Sequence, residues 1–189
     1  MPTPSSILIP DFNGTQQKSG VIQDSNNINY PLVRFQDEVI NVVQSSISGT
    51  YANGKIIGTY FNFPLVAANV GWGGAIAGAA LAINSTALAA YTLSLLLFSV
   101  APAATSINAT SLSSLTLSNT EANSYIGSLT FANAFTVSGG NLFSVNTVNL
   151  KYVAEATLNA LTGILVLNSS AGATLSSASI NIKLQVTKS

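Results

Sequence analysis

Residues 179–187 read Ser-Ile-Asn-Ile-Lys-Leu-Gln-Val-Thr. Their apolar side chains stand at Ile180, Ile182, Leu184 and Val186, and polar side chains fill the positions between them. Successive side chains of a β-strand point to opposite faces, so this alternation predicts a strand with one buried face and one exposed face. An antiparallel sheet packed on a core requires that pattern.

Similar segments of period two precede this strand, and turn residues such as Pro102, Gly139-Gly140 and Gly172 separate them. Gly, Pro, Asn and Ser favour turns for stereochemical reasons, so they mark where strands end. Many short strands divided in this way predict an all-β sandwich. The further strands are expected near residues 75–84, 91–100, 126–131, 134–137, 145–153 and 164–167.

The first 48 residues differ from the rest and are predicted to form an N-terminal arm or a small irregular subdomain. Short apolar pieces alternate there with turn residues and prolines. The β-sandwich domain is then expected over residues 49–189. The charged residues of the arm, which are half of those in the whole chain, are Asp11, Lys18, Asp24, Arg34, Asp37 and Glu38.

Charge is scarce throughout the protein. Only 6% of the 189 residues are Asp, Glu, Lys or Arg, and the net charge is zero, whereas an average protein has about 25%. No charged residue lies between Lys55 and Glu121. A chain without excess positive charge has little electrostatic attraction for phosphates, so we expect no nucleic-acid partner.

The residue types present give little basis for catalysis. Cys and His are both absent, so neither a zinc site nor a nucleophile activated by His is expected. Asp37 and Glu38 are adjacent, which places them on opposite faces of a strand. We therefore expect no enzyme activity, no cofactor and no metal.

One segment resembles a phosphate-binding loop. Residues 49–55 match the pattern G-x-x-x-x-G-K, but the next position is Ile56 where Ser or Thr should hold magnesium. The residues that follow favour a strand, and the motif needs a helix there. Asn53-Gly54 is better interpreted as a two-residue hairpin turn.

The long uncharged segment also permits a spanning helix near residues 84–102. No Lys or Arg flanks it to set an orientation, and Thr92 and Ser94 alternate with leucines. Two buried strands joined by a turn at Ser85-Thr86 are the favoured interpretation, and we expect no membrane partner.

Low charge suggests how the sandwich is used. Exposed sheet faces and edges usually carry charges that prevent association, and here Ser, Thr, Asn and Ala take those positions. This composition favours a permanently assembled protein. Polar contacts with a partner are assigned to Arg34, Asp37 and Glu38. Trp72, which lies among glycines, is predicted to be a packing or interface anchor, with stacking on a sugar as the alternative.

The order of several segments resembles a family of head decoration, or cement, proteins of tailed phages, which are encoded near the major capsid protein. Leu97-Phe98 followed by Pro102 resembles the end of one family strand, and Ile126-Gly127 with Phe131 resembles the next. Asn108 stands where the family commonly has Asp. The resemblance covers about residues 50–187.

The resemblance implies a jelly-roll-like β-sandwich that assembles as homotrimers on the capsid surface. It also implies a function: stabilising the virion by binding across subunits of the major capsid protein. The alternative is a carbohydrate- or receptor-binding sandwich of a phage fibre or tail.

Overall fold

The computed structural model describes residues 7–10, 16–19, 21–23, 29–31, 36–64, 66–67, 72–103, 117–154, 157, 159–168 and 172–188. It divides into two compact units, Met1–Phe35 and Gln36–Ser189. In the first unit, strands β1 (Ile7–Pro10) and β2 (Gln16–Ser19) form one antiparallel pair. Strands β3 and β4 form a second pair and run over Val21–Gln23 and Asn29–Pro31.

The second unit consists of two antiparallel sheets. One has the strand order β10-β11-β7-β13-β5 and the other has the order β6-β12-β8-β9. A 3₁₀ turn (Thr86–Leu88) and the short helix α1 (Asn119–Asn123) lie between strands. The strands are β5 Gln36–Tyr51, β6 Ile56–Pro64, β7 Gly73–Ile83, β8 Thr92–Phe98, β9 Tyr125–Phe131, β10 Phe135–Val137, β11 Gly140–Val153, β12 Ala160–Asn168 and β13 Ala173–Lys188.

The pairing of these strands is nested. Strand β5 pairs with β13, β6 with β12, β7 with β11, and β8 with β9, and all of these pairs are antiparallel. The β13–β7 and β12–β8 pairs then join them into two sheets. A long hairpin rolled up into two sheets in this way is a jelly roll. The predicted fold class, an all-β jelly-roll-like sandwich, is therefore confirmed.

The core lies between the two sheets. The four apolar side chains that identified the last strand, from Ile180 to Val186, are all fully buried. Strand β12 is buried over residues 160–167 on both faces, as expected for a central strand with both sides covered. A second, smaller apolar cluster on its outer side contains Ile56, Phe98, Ile164 and Val166.

The chain itself covers part of that outer side. Tyr60 donates a hydrogen bond from its hydroxyl to the carbonyl of Pro102. Oε1 of Glu121 accepts from the backbone N–H of Ala103 at 2.6 Å, and its Oε2 accepts from the N–H of Ser118 at 2.7 Å. These donors hold the pKa of Glu121 below its ordinary value. The bond from Ser118 N–H to Glu121 and the bond from Glu121 N–H to Ser118 Oγ together form the capping box of α1.

Two local expectations differ from the structure. Asn53-Gly54 is a turn, closed by Lys55 N donating to Ala52 O at 3.0 Å, but it is not a hairpin turn. It joins β5 and β6, which lie in different sheets. Alternation of apolar and polar residues in the sequence does not show which strands pair. The Ser85-Thr86 turn begins the 3₁₀ turn, whose N-cap is Ser85.

Residues 84–102, where the sequence also permitted a spanning helix, contain a short 3₁₀ turn and strand β8. Residues 92–98 form β8, and no helix of the described part of the chain is long and apolar enough to cross a membrane. Residues 36–48 form most of β5 and pair with β13. These residues were predicted to belong to the arm. The sandwich unit accordingly starts at Gln36.

We predict that Ile182→Ala lowers the free energy of unfolding by about 2–5 kcal/mol, because it leaves a cavity in the fully buried centre of β13. Urea unfolding followed by Trp72 fluorescence measures the change. Gln185→Ala lies on the exposed face of the same strand and should change stability by at most about 0.5 kcal/mol. Equal effects of the two substitutions would contradict the assignment of faces.

Candidate partner-contact surface

The outer face of the five-stranded sheet presents a continuous row of side chains. Val43 of β5 lies opposite Asn181 of β13, which lies opposite Ala82 of β7. Ala82 in turn lies opposite Leu142 of β11, and Leu142 lies opposite Phe135 of β10. Side chains paired in this way share one face of the sheet. We call the side of the five-stranded sheet that carries this row the outer face.

The outer face is apolar and uneven. Phe135 is 70% exposed and Leu142 is 44% exposed at one side, and Val39 and Val43 are similarly exposed at the other. Between them β7 presents only small side chains to the outer face, including Ala80 and Ala82. The resulting recess has a volume of about 310 Å³. A hollow with large apolar walls suits an apolar side chain of another protein.

Three polar side chains border the recess: Ser144, Asn181 and Lys183. The Oδ1 atom of Asn181 is buried and has no hydrogen-bond partner among the described residues. Leaving such an acceptor unpaired costs about 1–3 kcal/mol, so a partner with a suitably placed donor would gain from meeting it. Lys183 lies one pair further along β13, between Asn41 and Ala80, and is exposed.

Three of the four residues predicted to contact a partner lie at one end of this sheet. Asp37 and Glu38 begin β5 opposite the last residues of β13, which also pair with the first residues of β7. Trp72 immediately precedes β7. Arg34 lies outside the described residues.

Glu38 has a partner within the unit. Its Oε2 forms an ion pair with Nζ of Lys188 at the end of β13, and the side chain of Lys188 is only 9% exposed. Lys188 could not be predicted as the partner of Glu38 from the sequence, because pairing of the first and last strands of the sandwich brings the two residues together. Glu38 accordingly closes a contact inside the sandwich.

Trp72 is held by its backbone and leaves its ring open. Its carbonyl accepts a hydrogen bond from Ala154 N at 2.9 Å, and the residue is 52% exposed. The neighbouring Val153 is 62% exposed. Such a half-exposed indole suits an interface anchor, and it also meets the requirement for stacking on a sugar.

A shallow groove of about 690 Å³ lies beside this end of the sheet. Its lining includes Tyr125, Lys151 and Asn123, all of which are exposed. The ring of Tyr125 packs at 5.5 Å against the buried ring of Phe98, with the planes at 58°. That contact fixes the orientation of the tyrosine.

In the part of the chain that the structure describes, no group of three or more His, Cys, Asp or Glu side chains could hold a metal ion. Burial raises the pKa of the Tyr152 hydroxyl to about 12. This hydroxyl donates to the carbonyl of Val66. This contact joins the end of β11 to the segment after β6.

The chain resembles several solved structures, two of which come from viruses. No family model matches the chain, and no curated protein matches it. A solved structure of infectious bursal disease virus, Gt strain, has a TM-score of 0.36 and 12% identity over 95% of this chain and 42% of that one. A structure of Desmodium yellow mottle tymovirus has a TM-score of 0.26 and 15% identity over 85% and 93% of the two chains.

Both of these structures are of viruses. This chain spans less than half of the length of the first. The fold assignment rests on the nested strand order.

We predict that Tyr152 makes the protein less stable at alkaline pH. The folded pKa of about 12 lies above the ordinary value of 10.0, so its stabilising contribution is complete below pH 10 and is lost as the pH rises through 12. In Tyr152→Phe, the free energy of unfolding should therefore fall less steeply over this window.

Urea unfolding at a series of pH values measures the slope. Ile182→Ala is the matched control, since it weakens the core without removing a titrating group and should keep the wild-type slope. The same slope in Tyr152→Phe and in the wild type would contradict the assignment.

Proposed function

We propose that this chain is a structural protein of a virus particle and that its outer face is permanently covered by neighbouring subunits. The observation that carries the proposal is the difference between the two sheets. The outer side of the four-stranded sheet is partly covered by the chain's own residues, including Tyr60 and Leu117. The outer face of the other sheet leaves Phe135, Leu142 and Val43 exposed.

An exposed apolar face favours association in water. Burial of apolar surface contributes about 25 cal/mol per Å², and few charges oppose contact here. An exposed sheet face in a monomer usually carries several charged residues. The two alanines of β7 on this face lie opposite Asn181, Lys183, Leu142 and Ser144, of which only Lys183 is charged. Permanent assembly explains this composition without requiring a small ligand.

The more specific proposal is a decoration, or cement, protein on the capsid surface. In this role the outer face packs across subunits of the major capsid protein and stabilises the head, without catalysis. Support comes from the resemblance in residues 97–102 and 126–131 and from the jelly-roll strand order. The homotrimer that the resemblance implies belongs to the same proposal.

The test is a sedimentation assay with undecorated heads and purified protein. We expect the wild type to bind and to raise the temperature at which the heads release their contents. The double variant Phe135→Ser/Leu142→Ser should bind at least about tenfold more weakly, because truncating large side chains at the centre of an interface costs about 1–2 kcal/mol or more.

Thr174→Ser provides a matched control, since it lies exposed on β13 away from the recess and should bind like the wild type. No sedimenting complex, or binding by the double variant as strong as that of the wild type, would overturn the decoration role. Far-ultraviolet circular dichroism verifies that each variant is folded.

A carbohydrate-binding sandwich is the second candidate. The half-exposed Trp72 favours it, together with the groove that contains Tyr125 and Lys151. A glycan that stacks on Trp72 should shift the tryptophan emission, and the protein has no other tryptophan. An emission spectrum unchanged across a glycan panel would exclude stacking at this residue.

A further inference from the structure

Strand β5 is an open edge of the five-stranded sheet. It is 16 residues long and is paired along one side with β13, and no described strand pairs with its other side. Residues 38–44 pair with β13 without interruption. They contain no Pro or Lys, and Glu38 is their one charged residue. Pro and charged side chains, especially Lys, commonly protect such edges.

Two other edges of the sandwich are short or partly covered. Strand β10, at the opposite side of the same sheet, has only three residues. Part of the edge of β6 is covered by Gln44, whose Nε2 donates to Tyr60 O at 2.6 Å and whose Oε1 accepts from Thr59 N at 3.0 Å. The amide side chain thus supplies the hydrogen bonds that a neighbouring strand would provide.

We propose that β5 pairs antiparallel with β5 of a second copy of this chain, around a two-fold axis at Asn41. In this register Val39 lies opposite Val43 of the partner subunit, and the symmetry repeats that pair on the other side of the axis. Two such contacts flank the pair formed by Asn41 and Asn41 of the partner subunit. The two sheets then form one continuous sheet.

The side chains fit this register. Val39 is 60% exposed and Val43 is 52% exposed, and both lie on the outer face. Directly opposite side chains have Cβ atoms about 4.5–5.5 Å apart, close enough for valines to pack together. Displacing the register by two residues would place Val39 opposite Asn41 or Ser45 and lose both valine contacts.

Charge also permits this register. Glu38 falls opposite Gln44 of the partner subunit, so no like charges meet, and Lys188 already neutralises Glu38 within its own subunit. Pairing over residues 38–44 adds about six to eight backbone hydrogen bonds, within the range of about 10 ± 5 that is usual for a protein interface.

The contact is independent of the proposed function. It requires only a second copy, so it can be tested on the purified protein without any virus particle. A two-fold contact of this kind closes at two copies. It is therefore distinct from the trimer that the resemblance implies, and failure of the head-binding assay would leave it standing.

The first experiment uses the absence of cysteine from the chain. Asn41→Cys places one thiol from each copy at the axis, so mild oxidation or a short bis-maleimide should convert most of the protein into covalent dimer. Gln185→Cys, on the exposed face of β13, is the control and should remain mostly monomeric. Equal cross-linking of the two variants would overturn the proposal.

A mixing experiment tests the register. Val39→Cys alone should cross-link poorly, because its two thiols lie about 13 Å apart along the paired strands. A mixture of Val39→Cys and Val43→Cys should yield covalent heterodimers. Efficient cross-linking of Val39→Cys with itself would contradict the register.

Light scattering and sedimentation equilibrium then measure the dimer without cross-linking. The wild type should dimerise, and Val39→Lys/Val43→Lys should raise the dissociation constant at least about tenfold, because lysines on an edge oppose pairing. Thr174→Lys, exposed near the start of β13, should dimerise like the wild type. A wild type that stays monomeric at 100 µM would refute the two-fold contact.

Discussion

Strand β13 is the element on which the sandwich depends, because it is hydrogen-bonded on both sides. It pairs with β5, the first strand of the unit, on one side and with β7 on the other. Its inner side chains, among them Ile182 and Leu184, are fully buried between the sheets. Without β13, the five-stranded sheet and the core would not form as observed. The Glu38–Lys188 ion pair depends on the pairing of β5 with β13.

The asymmetry between the two sheets follows from how each is covered. The capping box at Ser118 and Glu121, with the contact between Ala103 and Glu121, holds part of the chain near the outer side of the four-stranded sheet. The five-stranded sheet has no such cover among the described residues and presents Phe135 and Leu142 to solvent. The proposed contacts with neighbouring subunits therefore concern one sheet only.

Local patterns in the sequence predicted the strands well, since alternation reports which side of a strand faces the core. The final strand was predicted with its buried and exposed faces. Pairing partners were not, because a turn such as Asn53-Gly54 looks alike whether it joins neighbours or crosses between sheets. The recess at Ala82 and the role of Lys188 were likewise missed, since both arise from residues far apart in the chain.

The pairing of β5 with β13 has a consequence for synthesis. Nearly the whole length of the unit must be made before β5 meets its partner, and contacts of such long sequence separation are associated with slow folding. Until then the aliphatic residues of β5 and β7 are exposed to solvent, and unpaired strands promote aggregation. A chaperone that shields these strands during translation would raise the yield of folded protein.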